Sequence, residues 1–217
     1  MKKLFALLAV AAIAGSASAK EMVGVNGEFV APGGVRASDI ELEYDGGIFF
    51  NGGTSPGWTD LTSVTFEIPA GGPYILSEVR LFITGTQTKT LEFYDGGGLF
   101  DPPNALIGFG PDFSTPYGAW PPADWTTVDL LGLNQTAATG DLIRPTVPFY
   151  GTLGDAVGLA YANDDGNPGH SWAIYQGNWT DDTYAYGVDD GFRLGINEGN
   201  GTPTEETSWG AVKNLYR

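Results

Sequence analysis

The chain has 217 residues, 26 acidic and 10 basic, with a formal net charge of −16, a single histidine and no cysteine. No basic stripe is available to displace counterions from nucleic acid, and an anionic membrane surface repels the chain. The cysteine count excludes thiolate zinc, iron-sulfur and thiol chemistry, and the single histidine excludes histidine-based catalytic zinc.

Residues 1–19 read as a secretory signal peptide: Lys2 and Lys3 form a basic start, Leu4 to Ala14 an apolar run too short for a bilayer, and Ala17-Ser18-Ala19 a cleavage site. Removing it leaves 8 basic against 26 acidic residues. The expected product is exported, extracellular or at the cell surface, without membrane insertion and without disulfides to staple it. Residues 20–39 form an N-terminal segment.

From residue 40 to 197 nearly every periodic segment has period two, the repeat of a strand with one buried face. After weaker strands at Ile40–Tyr44 and Ile48–Phe50, "TSVTFEI" sets Val64, Phe66 and Ile68 against Thr65 and Glu67. "EVRLFIT" sets Val79, Leu81 and Ile83 against Arg80 and Phe82. "TLEFY", "TTVDLL", "AVGLAYA", "SWAIYQ" (with Trp172 and Ile174 inward) and "GFRLGI" continue the pattern, with weaker strands at Leu106–Phe109 and Val147–Tyr150. Clusters of Gly, Pro, Asn and Asp separate them. The expected fold is all-β: an antiparallel sandwich, jelly-roll-like, of about ten strands. Phe109 to Trp125, with four prolines and no strand period, reads as an ordered surface loop. Residues 198–217 read as a linker and a short amphipathic helix, capped by Thr204 and striped by Trp209, Val212 and Tyr216.

"GHSWA" imitates a nucleophile elbow at Ser171, but it runs into a strand rather than a helix, and the only histidine, His170, is its neighbour instead of a facing base. Asn163, Asp164, Asp165 and Asn167 offer the oxygen ligands calcium takes, and they equally suit a turn. Asp45, Asp95, Asp181, Asp182, Asp189 and Asp190 are further oxygen donors. Glu67, Glu92 and Asp129 fall at outward strand positions, where solvated acids are ordinary. Trp58, Tyr117, Trp120, Trp125 and Trp179 lie in or beside loops, and such rings flanked by Asp and Asn suit the C–H face and hydroxyls of a sugar.

The blocks "VTFEIPAGGPYILSEVRLFI", "LEFYDGGGLFDPPNALI", "WTTVDLLGLN", "GLAYANDDGNPGHSW" and "DGFRLGI", spanning about Asp45 to Asn197, resemble accessory β-sandwich domains of secreted bacterial peptidases and surface proteins, including type IX-like exported proteins. The closing "SWGAVKNLYR" resembles their short terminal segments. The resemblance implies an extracellular binding or adhesion role without catalysis; the absence of a preceding peptidase segment is a departure from it. The expected function is a non-catalytic module that recognises an extracellular glycan or a surface protein through end loops. A self-assembling surface or filament subunit, and a glycan-active enzyme with paired carboxylates, are the alternatives.

Overall fold

The structure, a computed structural model, describes residues 29–30, 37–45, 48–53, 59–85, 87–118, 122–148, 158–163, 169–175 and 177–199. In chain order the strands are β1 (Phe29–Val30), β2 (Ile40–Glu43), β3 (Ile48–Gly53), β4 (Thr59–Val64), β5 (Phe66–Glu67), β6 (Tyr74–Leu81), β7 (Ile83–Thr84), β8 (Lys89–Gly96) and β9 (Pro103–Phe113). They continue as β10 (Thr126–Asp129), β11 (Thr136–Ala137), β12 (Leu142–Ile143), β13 (Pro145–Pro148), β14 (Gly158–Asn163), β15 (Ser171–Tyr175), β16 (Asn178–Asp181), β17 (Val188–Asp190) and β18 (Phe192–Glu198). The fold is all-β and antiparallel, sandwich-like, with more and shorter strands than the periodicity predicts.

One main layer runs β10-β6-β18-β2 with β11 beside β6; the other runs β16-β15-β4-β13-β8-β9. Their facing sides build the core: Leu76, Val79, Leu81, Phe192, Leu194 and Ile196 from the first meet Val64, Leu91, Phe93, Ile107 and Val147 from the second, all buried. Each of these side chains contributes roughly 1.5–3 kcal/mol of hydrophobic stabilisation. The inward alternation of "EVRLFIT" is as expected from the sequence.

Its outward side is not. Arg80 and Phe82 are each 1% exposed, because a third sheet, β1-β3-β14-β17 with β7 beside β14, brings Phe49 to this face. The Phe49 and Phe82 rings lie 4.9 Å apart. Trp125 joins them, 5.2 Å from Phe82 and 5.9 Å from Phe49. Its ring also receives two guanidinium groups, with Arg193 Cζ 4.4 Å and Arg80 Cζ 5.2 Å from the centroid.

Those two arginines are register partners on β18 and β6. Like charges at adjacent positions of a sheet need counter-charges, and β2 supplies them. Glu41 accepts from Arg80 Nη1 at 2.6 Å and from Arg193 Nη1 at 3.1 Å. Glu43 reaches Arg193 Nη1 at 2.8 Å, while Asp45 takes Nη2 at 2.7 Å and Nε at 3.0 Å. Burial alone lowers the pKa of Arg193; the hydrogen bond and charge of Asp45, with the charges of Glu43 and Glu41, outweigh it and raise the pKa above the ordinary arginine value.

Three further expectations change. β9 runs on to Phe113 through Pro111, within the segment read as a loop; it is the terminal strand of its sheet, where a residue lacking an N–H is tolerated. Trp172 is buried, but outside the main core cluster. A short helix, α1 (Asp182–Tyr186), follows β16: Asp181 caps it by accepting from the Tyr184 amide, and Gly187 ends it with φ 64°. The amphipathic helix expected in residues 198–217 lies outside the described residues.

Replacing Arg193 by Ala takes from buried Asp45 the guanidinium that holds both its oxygens and leaves Glu41 with Arg80. The expected loss is about 3–5 kcal/mol of unfolding free energy, measured by urea denaturation, and a loss under about 1 kcal/mol contradicts the role given to the network. Asp181→Ala removes both the α1 cap and the acceptor of the Gly169 amide; it is expected to cost about 1–2 kcal/mol in the same assay.

Candidate functional site

The β8–β9 hairpin closes through the acid- and glycine-rich run "GGGLFD", since Gly96 pairs with Pro103. Asp101 organises this loop. Its Oδ2 accepts from the Gly98 amide at 2.6 Å, and its own amide donates to the Gly98 carbonyl at 3.1 Å. A Cβ on Gly97 would collide with the Asp101 carboxylate, so a side chain there would push the acid off the backbone it folds over.

Beneath the loop, Arg144 is fully buried and its Nη2 donates to the Gly98 carbonyl at 2.8 Å. Burial lowers its pKa below the ordinary arginine value, and the charges of Asp95 and Asp101 oppose that shift. Its Nε and Nη1 have no hydrogen-bond partner among the described residues. Gly96 allows the guanidinium to lie against the strand, because a Cβ there would stand 2.8 Å from Arg144 Cζ.

The second wall is the β15–β16 hairpin, in which Tyr175 pairs with Asn178 and the turn passes through Gly177 at φ 81°. Trp179 follows on β16. Its ring meets Tyr94 of β8 edge-on, with centroids 5.8 Å apart and planes at 75°, and the Tyr94 hydroxyl donates to Glu92 Oε2 at 3.0 Å. This contact ties the two hairpins together.

Between them lies an open cleft of about 520 Å³ lined by Gly97, Asp101, Pro102, Pro103, Asn104, Gly177, Asn178 and Trp179. It offers one indole, two side-chain amides, one carboxylate and glycine backbone. Among these lining residues Asp101 is the only carboxylate.

The same segment that supplies Trp179 is anchored at its start. Gly169 has φ 91°, its amide donates to Asp181 Oδ2 at 2.9 Å and its carbonyl accepts from Trp172 Nε1 at 2.9 Å. A Cβ there would come 2.6 Å from a carbon of Phe100. His170 Nδ1 lies 3.0 Å from the Thr65 carbonyl, and the imidazole stacks on Tyr44 with centroids 3.6 Å apart. Ser171 is fully buried, donating to Asp189 and accepting from the Asp190 amide. His170 and Ser171 are therefore engaged with other partners and do not form a nucleophile-base pair.

Of the five aromatics singled out from the sequence, Trp179 lies in the cleft. Trp125 is 5% exposed, its ring covering the Arg80 and Arg193 guanidiniums, which corrects the expectation of an open ring: it cannot stack on an external ligand. Tyr117 is half-buried elsewhere, its carbonyl accepting from the Gly85 amide. Trp58 and Trp120 lie outside the described residues. Asn163 ends β14, while Asp164, Asp165 and Asn167 lie outside the described residues. Asp45 is committed to Arg193; Asp182, Asp189 and Asp190 are buried beside Ser171 and Thr183, with Thr183 Oγ1 donating to Asp189 at 2.9 Å. Among the described residues no group of three or more His, Asp or Glu is arranged to hold a metal. The described helices include none long and apolar enough to cross a membrane. Sequence reasoning missed Gly97, Asp101, Asn104 and Asn178. The "DGGG" turn and the Asn-Trp pair were visible signals, but nothing in chain order connects them.

No family model and no curated protein matches the chain. Among solved structures, the fold is similar to that of the cysteine protease and lectin-like domains of Cwp84, a surface layer associated protein of Clostridium difficile: the TM-score is 0.57 at 10% identity, over 76% of this chain. The chain spans 37% of that protein's chain. At this identity the likeness shows a shared fold.

Proposed function

We propose that this chain is a secreted, non-catalytic module that recognises a glycan at a bacterial cell surface through the cleft between the β8–β9 and β15–β16 hairpins. The observation that carries the reading is Trp179 held beside Tyr94 within a cleft that also presents Asn104, Asn178 and Asp101. An indole face takes the C–H side of a pyranose, and amides and a carboxylate take its hydroxyls; this pairing of one flat apolar surface with few directed polar groups is how sugars are held. The fold shared with a surface protein that contains a lectin-like domain supports the same reading.

Trp179→Ala is expected to weaken binding to a glycan-array hit at least about tenfold, equivalent to about 1.4 kcal/mol, with an unchanged circular dichroism spectrum. Isothermal titration measures it, and undiminished affinity removes the cleft from the proposal.

Calcium held by Asn163, Asp164, Asp165 and Asn167 belongs to the same reading, because β14 ends at Asn163 while pairing with β17, whose Asp189 and Asp190 are buried. Added calcium is then expected to raise the melting temperature by several degrees, an effect lost in Asp164→Ala with Asp165→Ala. An unchanged melting curve with and without chelator rejects the ion.

A second reading, self-assembly, is favoured by the terminal strand β9, where Phe109 is 64% and Leu106 39% exposed. Against it stand the bulges of that strand and Pro111, which blunt an edge. Light scattering across a concentration series separates the two readings: Phe109→Ser abolishes assembly in the second and leaves glycan binding intact in the first.

A further inference from the structure

We infer that the cleft selects uncharged saccharides and turns away acidic ones, with Asp101 as the residue that sets this preference; the inference rests on the glycan reading above. The charge in the cleft is one-sided. Asp101 is the only ionisable side chain in its lining, and it is exposed there, its carboxylate locked over Gly97 by the Gly98 amide.

Among the described residues, the cation behind this wall does not serve the ligand. Arg144 is fully buried behind the loop, spends Nη2 on the Gly98 carbonyl and feels Asp95 and Asp101. A uronate, sialate or sulfate entering the cleft would meet a fixed carboxylate with no exposed cation among the lining residues to compensate it. The chain's net charge of −16 adds to that field. A neutral hexose or N-acetylhexosamine meets no such cost, and its hydroxyls can donate to the carboxylate, a charge-assisted bond that neutral acceptors do not match. The amides of Asn104 and Asn178 serve as both donors and acceptors, which suits paired hydroxyls.

The geometry makes an isosteric test possible. In Asp101→Asn the amide oxygen can still accept from the Gly98 amide, so the loop keeps its internal bond while the charge is removed. The experiment titrates the full chain and this variant with a neutral β-glucan oligosaccharide, an N-acetylated chitin oligosaccharide, polygalacturonate and heparin, at about 0.02 M and about 0.5 M sodium chloride. The expected result is binding of at least one neutral oligosaccharide, lost in Trp179→Ala, with acidic polymers bound at least tenfold more weakly at low salt. Asp101→Asn is expected to recover at least about fivefold of that deficit, and high salt to narrow it in the unaltered chain.

Equal affinity for acidic and neutral probes, still dependent on Trp179, overturns the charge selection and leaves the glycan site standing. A neutral preference unchanged in Asp101→Asn overturns the role of Asp101. Silence toward every saccharide overturns the underlying site, and this inference with it.

Discussion

The Arg193 guanidinium is the point at which β18, β2 and the segment leading into β10 are made to agree. It projects from β18 onto Trp125 and is held by Asp45, Glu43 and Glu41, while Glu41 also takes Arg80 on the neighbouring strand. A buried ion pair is weak evidence for stability as such, because desolvation cancels much of the attraction. Its consequence here is geometric. Two arginines side by side on one sheet can stay buried only if β2 lies in this register with Glu41 between them, and only if Trp125 caps both.

That constraint extends toward the cleft through a short series of contacts. Tyr44, next to Asp45, stacks on Phe66 and on His170; His170 exchanges backbone and side-chain bonds with Thr65. The adjacent Gly169 is tied to Asp181 and Trp172. The β15–β16 hairpin, and Trp179 on it, thus leave the body of the sandwich from a fixed base. The opposite wall is fixed separately by Arg144 beneath Gly98. A binding surface on loops normally costs ordering entropy on association; loops tied down from below have already lost that freedom.

How much of this was legible in the sequence follows from what period two can and cannot carry. Alternation separates two faces of a strand, so Val79, Leu81 and Ile83 could be placed in the core. It does not say whether the other face meets water or another sheet, and so Arg80 and Phe82 read as outward when Phe49 and Trp125 cover them. Trp125 follows Asp124 and Trp179 follows Asn178, and each runs on into strand residues. Only long-range contacts, with Arg193 for one and Tyr94 for the other, separate a buried ring from a cleft ring. α1 was missed because five residues are too few for a 3.6-residue period, although Asp181 and Gly187 mark both of its ends. Pro111 suggested a loop, and the terminal position of β9, which excuses it, is a property of sheet order rather than of local sequence.

Glycine content unites the two halves of the site. The chain carries 33 glycines, a composition that on its own suggests looseness. At Gly96, Gly97 and Gly169 the opposite holds: each lacks a side chain where another group must come close, namely the Arg144 guanidinium, the Asp101 carboxylate and the Phe100 ring. Without a disulfide to draw the hairpins together, close approach of backbone to a ring or a charged head does that work. The entropy lost at these positions is returned as contact, and the cleft exists because the two loops can touch their supports at van der Waals distance.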